Sequence, residues 1–209
     1  MTRLKIIALI TIISSCSNFI SFEDTKILAQ DLIIGAPDTK ITKSFEKNLP
    51  YSFAKIKIGK RAPAILVLAG SNENVMHWVS ADKISIFTIN GKIIKTIGFD
   101  NDILFLNYPQ DESILANLNS TFSSLVDFSN PSLYSATVIS QYDGFKVQNI
   151  DFLDGVKETL FIEEFLSMPE IKWSVRNLYW FDTESKMVIR SSQSIHPNEA
   201  EIKINFYYK

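Results

Sequence analysis

The 209-residue chain reads as an all-β protein, mainly an antiparallel sandwich or half-open barrel with one or two short helices. Three observations predict this. From Leu49 onward apolar residues recur with period two, as a pleated strand requires. Turn signals separate the runs at roughly ten-residue spacing. Asn90-Gly91 stands between two alternating β-branched runs, and this dipeptide marks a two-residue hairpin because both turn positions need φ > 0.

The elements follow in order. Ser52 to Ile58 alternates polar and apolar residues and predicts the first strand. Ala64 to Ala69 is continuously apolar, the pattern of a strand covered on both sides. Met76 to Ser80, Lys83 to Ile89 and Lys92 to Ile97 are the next three strands, the last two joined by Asn90-Gly91. Residues 98–133 are looser, with a strand near Ile103 to Asn107 and a short helix near Glu112 to Leu118. Leu133 to Gln141 and Phe145 to Phe152 read as a second hairpin about Asp143-Gly144. Val156 to Leu166 fits helix and strand equally by periodicity. Trp173 to Phe181 and Met187 to Ser194 make a third hairpin, and Glu201 to Tyr208 closes the chain. Nothing divides residues 49–209, so they form one β domain.

Composition excludes several functions. Charge is balanced, 21 Lys+Arg against 23 Asp+Glu, so the concentrated basic footprint that nucleic acid demands is missing. One cysteine rules out a disulfide framework and a Cys-rich metal site, and with two histidines a metal centre is not expected. No Gly-x-Gly-x-x-Gly, Walker, His-Glu-x-x-His or Gly-x-Ser-x-Gly motif occurs. His77 falls mid-strand and His196 at a strand end, positions of structural histidines. Glu163-Glu164 point to opposite faces of a strand, one solvated and one half-buried, so they do not converge as glycosidase carboxylates.

The cysteine has a targeting context. Arg3 and Lys5 precede the apolar run Ile6 to Ile13, too short to span a bilayer, and Ile13-Ser14-Ser15-Cys16 looks like a bacterial lipobox. Residues 1–15 are then a signal peptide and Cys16 the lipidation site, because its thiol receives the diacylglycerol. Ser17, in place of a retention Asp, favours the outer membrane. Removing the signal leaves 19 basic residues against 23 acidic ones. Residues 16–48 are a lipidated tether, with a short helix between Phe22 and Ile34. No cofactor is expected beyond the covalent acyl lipid.

Aromatic residues concentrate on the predicted strands: Trp78, Trp173, Tyr179, Trp180 and Phe181. Such rings either stack on the C–H faces of sugars or fill a core.

Several segments resemble the YjbF (GfcB, YmcC) lipoproteins in the same order: Leu49-Pro50-Tyr51, Trp78-Val79-Ser80-Ala81-Asp82, Asn90 to Gly98, Val126-Asp127-Phe128, Leu133-Tyr134, Asn177 to Asp182, Val188 to Gln193 and His196-Pro197. Two departures stand out: Ile189 occupies a position usually held by Trp, and glycine is scarcer between the middle strands. The resemblance implies a mostly antiparallel fold, a strand at Val156 to Leu166, and no enzymatic activity. It also implies an outer-membrane-associated lipoprotein of exopolysaccharide or group 4 capsule export. The expected role is binding, with the membrane (through the anchor) and export proteins or the polysaccharide as partners. Trp78, Asp82, Trp180, Arg190 and Gln193 are the candidate contact surface, offering rings to stack and polar groups for hydroxyls or uronates. The structural alternative is that Asp82 pairs with Arg190 while the tryptophans fill the sheet. The rival function is a lipid or lipoprotein carrier sheltering an acyl chain in a half-open barrel.

Overall fold

The computed structural model describes residues 40–108 and 114–209. The lipobox, Cys16 and the expected Phe22 to Ile34 helix lie outside the described residues.

Helix α1 (Lys43–Asn48) starts at Thr42, whose side chain accepts from the Phe45 N–H at 3.1 Å, an N-cap bond that satisfies one of the free donors. Thirteen strands follow among the described residues. They are β1 (Phe53–Ile58), β2 (Ala64–Asn72), β3 (Val75–Ser80), β4 (Ser85–Ile89), β5 (Lys92–Ile97), β6 (Ile103–Leu106), β7 (Thr121–Phe128), β8 (Leu133–Tyr142), β9 (Lys146–Phe152), β10 (Gly155–Met168), β11 (Trp173–Asp182), β12 (Val188–Gln193) and β13 (Ile202–Tyr207). All belong to one antiparallel sheet. Its path runs β5-β4-β3-β2-β1-β13-β12-β11-β10-β8-β7-β6, with β9 paired to β10 off that path. The sheet curls until its two ends meet, giving a nearly closed barrel. Side chains staple the seam between β5 and β6: Thr96 Oγ1 donates to Asp102 at 2.8 Å and accepts from the Ile103 N–H at 3.0 Å.

The alternation of β1 explains its place. Ile56 and Ile58 point into the barrel, while Phe53, on the other face, packs beneath α1. The Asn90-Gly91 hairpin forms as its sequence requires, with φ of 49° and 77° and Ile89 opposite Lys92. Val156 to Leu166 is strand, within the 14-residue β10.

Four expectations need correction. Ala64 to Ala69 is not covered on both faces: only Leu66 is fully buried, because the outer face of β2 is partly open. Residues 98–133 hold an additional eight-residue strand, β7, whose inward set Ser124, Val126 and Phe128 includes a serine and so breaks the apolar alternation. The helix near Glu112 to Leu118 is, in its described part, a 3-10 turn over Ile114–Asn117. Asp143-Gly144 does not reverse the chain. Strands β8 and β9 run in the same direction, both antiparallel to β10, and pair with successive parts of it. The reversal comes later, at Leu153-Asp154, where Phe152 faces Gly155.

That late reversal makes β9–β10 a ribbon reaching over the outer face of the barrel. Its tip residues Phe152 and Leu153 join Ile41, Phe45, Leu49, Phe53 and Tyr207 in a second apolar cluster outside the barrel. Phe53 stacks on Tyr207 at 4.6 Å, and Tyr207 on Phe152 at 5.2 Å. The Lys43 N–H donates to Asp154 at 2.6 Å, tying α1 to the ribbon.

Candidate functional site

Inside the barrel the sheet buries an ion pair. Lys92 opens β5 directly after the hairpin, and its ammonium meets Glu164 of β10 across the lumen, the two side chains 3% and 0% exposed. Three further donors surround the carboxylate: Ser140 Oγ at 2.6 Å, Tyr179 OH at 2.9 Å and Asn177 Nδ2 at 3.1 Å. Burial alone would raise the Glu164 pKa, but the Lys92 charge and the hydrogen bonds from Lys92, Ser140 and Asn177 outweigh it and hold the carboxyl below its ordinary value. Burial pushes the Tyr142 and Tyr179 phenols well up, and the Glu164 charge pushes them further. The cluster is a satisfied polar core. The cavity beside it measures about 20 Å³, room for a water-sized guest and no substrate. Sequence reasoning put a half-buried glutamate here but missed its partner, because Lys92 and Glu164 are 72 residues apart.

Of the five contact-surface candidates, two lie inside the barrel. Trp78 is 1% exposed and donates its Nε1–H to Thr88 at 2.9 Å. Gln193 is also 1% exposed: its Nε2 donates to the Gly91 carbonyl at 2.8 Å and its Oε1 accepts from the Ile93 N–H at 3.0 Å. Gln193 therefore seats the β4–β5 hairpin on β12. Neither residue contributes to a surface. Ile189, at the position where the resembling proteins carry Trp, is buried at 4% and serves packing.

Trp180 and Arg190 come together as direct cross-strand neighbours on the outer face. The same row continues through Phe161 on one side and Asn205 and Lys55 on the other. Trp180 and Arg190 are both half-buried under the β9–β10 ribbon. The Trp180 Nε1–H donates to Gln148 Oε1 at 2.9 Å, and its ring lies 5.2 Å from that of Phe161. Arg190 donates from Nε to Asn205 at 2.7 Å and from Nη2 to the Asp151 carbonyl at 2.6 Å. The result is a shallow aromatic shelf edged by Gln148, Arg190 and Asn205. Asp82 lies elsewhere, in the exposed β3–β4 turn, where it accepts from Ser80 Oγ. Asp82 and Arg190 thus serve different partners and do not order the sheet as a pair.

Asp82 borders a cavity of about 180 Å³ at one end of the barrel, between the β1–β2 and β3–β4 turns. His77 stacks on Phe87 at 4.2 Å, and His196 is buried against Phe128 with Nδ1 accepting from the Asn198 N–H at 3.0 Å. Glu163, facing away from Glu164, pairs with Arg176 at 3.4 Å.

The crystal structure of the hypothetical lipoprotein YmcC from Escherichia coli (K12) matches the fold with a TM-score of 0.75 at 18% identity, over 92% of this chain and 98% of that one. The uncharacterized lipoprotein YjbF of Escherichia coli (strain K12) is 25% identical over 92% of this chain and 91% of its own length. The uncharacterized lipoprotein GfcB of the same strain is 24% identical over 76% of each. The family model described as group 4 capsule polysaccharide lipoprotein gfcB, YjbF matches residues 28–206, and the chain belongs to that family.

Proposed function

We propose that this chain is a lipid-anchored accessory of surface-polysaccharide export, held through Cys16 at the periplasmic face of the outer membrane and acting by binding. The observation that carries the binding role is the half-buried Phe161–Trp180 shelf. Its rings keep part of their surface in solvent, and Gln148, Arg190 and Asn205 at its edge are fixed by their bonds to Trp180, Asp151 and one another and carry further N–H groups for hydroxyls or uronates. The polar lumen supports the same reading: its carboxylate, ammonium and phenols are spent on one another beside a cavity of about 20 Å³, and the cavity at the barrel end, about 180 Å³, is too small for a long acyl chain. An acyl-sheltering barrel would need an open lumen, and ligand pockets typically run to roughly 300–1,000 Å³.

Trp180→Ala should lower surface polysaccharide severalfold while leaving the amount of folded protein close to wild type, since the side chain is only half-buried. Deleting the gene should lower secreted polysaccharide without affecting its cytoplasmic synthesis. Normal surface polysaccharide in the deletion strain, with the protein expressed in the parent, refutes the reading. Accumulation of mislocalised lipoproteins there would instead support a carrier.

The anchor has its own test. Cys16→Ser removes the acyl acceptor, so incorporation of radiolabelled palmitate should cease and the protein should leave the membrane fraction. Undiminished labelling would exclude Cys16 as the site.

A further inference from the structure

We infer that the cavity beside Asp82 is a binding site for a short aliphatic chain bearing a hydrogen-bond-donating head, such as an alcohol. The cavity holds about 180 Å³ and is walled by Ile56, Ile58, Ala64, Leu66 and Ile84, with Ser80, Asp82 and Arg61 on its polar side. Ile56, Ile58 and Leu66 are 3%, 6% and 1% exposed and form the floor, while Arg61, Ala62 and Asp82 are exposed at the mouth, so the cavity is an aliphatic-floored pocket that opens to solvent at the barrel end.

An aliphatic floor left against water is costly, and covering it with an apolar chain is favourable. An aliphatic-lined cavity of about 150 Å³ suffices to take up benzene from water. A sugar ring fits this space poorly, because aliphatic walls would strand its hydroxyls without partners. A long acyl chain exceeds it. The site is therefore distinct in chemistry from the aromatic shelf on the outer face of β10–β12.

The polar side selects the head group. Asp82 is exposed and already accepts from Ser80 Oγ, so the rim presents a carboxylate acceptor. The Arg61 guanidinium is engaged with Asp100 at 2.9 Å. A hydroxyl or amine donates to Asp82, whereas a fatty carboxylate meets a like charge.

The test uses the chain from position 16 onward carrying Cys16→Ser, kept free of detergent, and titrates it with 1-hexanol. Saturable shifts confined to the Ile56, Ile58, Ile84 and Leu66 methyl resonances are expected, with a rise in melting temperature, because a ligand bound to the native state alone stabilises it. Hexanoate should bind at least about tenfold more weakly. Ala64→Leu fills the space and should abolish the hexanol effects while keeping the β spectrum; Ala62→Leu serves if that variant does not fold. Non-saturating or dispersed shifts, or equal hexanol binding by the folded filled variant, overturn the site. Equal binding of hexanoate overturns the head-group assignment.

Discussion

Lys92→Met should destabilise the fold by about 3–5 kcal/mol, because it leaves an uncompensated charge in the barrel. The measurement is the urea unfolding midpoint followed by aromatic fluorescence. Glu164 is fully buried and lined by donors placed for a carboxylate, so the loss of its ammonium partner cannot be made good by solvent. Replacing both members, Lys92→Met with Glu164→Leu, should recover much of the loss, since hydrophobic replacements of buried pairs are often neutral or better. The pH dependence gives a second readout. In the native protein the Glu164 pKa is lowered, so its contribution is present above the ordinary carboxylate value and fades as pH falls through the lowered one. Without Lys92, burial is the larger influence and raises that pKa. The sign then reverses: the variant loses stability as pH rises and should approach wild type on acidification. An unchanged midpoint in Lys92→Met would show that the pair does not support the fold.

Gly91→Val should cost about 2–6 kcal/mol, combining backbone strain and overpacking of about 1–3 kcal/mol each. Gly91 has φ of 77°, and a Cβ there would stand 2.5 Å from the Cβ of Val188. The second penalty is tertiary. The hairpin tip is pressed against β12, where Gln193 holds its backbone from the side. Val188→Ala keeps the Cβ but removes the Cγ atoms that would stand at 2.6 and 2.9 Å, so it should rescue part of the Gly91→Val loss, whereas turn strain by itself would leave the two substitutions additive. A melting temperature equal to wild type in Gly91→Val would refute the tight turn.

Misreadings of the sequence share a physical origin. Asp143-Gly144 has the composition of a turn, yet the chain runs straight on because β10 is long enough to pair with β8 and β9 in succession. β7 was illegible as a strand because one of its inward positions is Ser124, which a polar-lined interior tolerates and an apolar template does not. Trp78 and Gln193 looked like contact groups because residue type alone does not tell which face of a strand is inward. Register told it: Trp78 sits opposite Leu68 and Ile86, and so faces the core.

By itself the sequence determined the β class, the Asn90-Gly91 hairpin and the third hairpin, and its ordered segments the family, because each depends on period-two patterning, on local φ preferences or on residue order along the chain. Only the tertiary structure decided barrel over sandwich, the crossing of the β9–β10 ribbon, the Lys92–Glu164 pair and the company of Trp180 and Arg190. These rest on contacts between residues far apart in the chain, and a one-dimensional pattern records which face a side chain occupies without recording what the opposite wall brings to meet it.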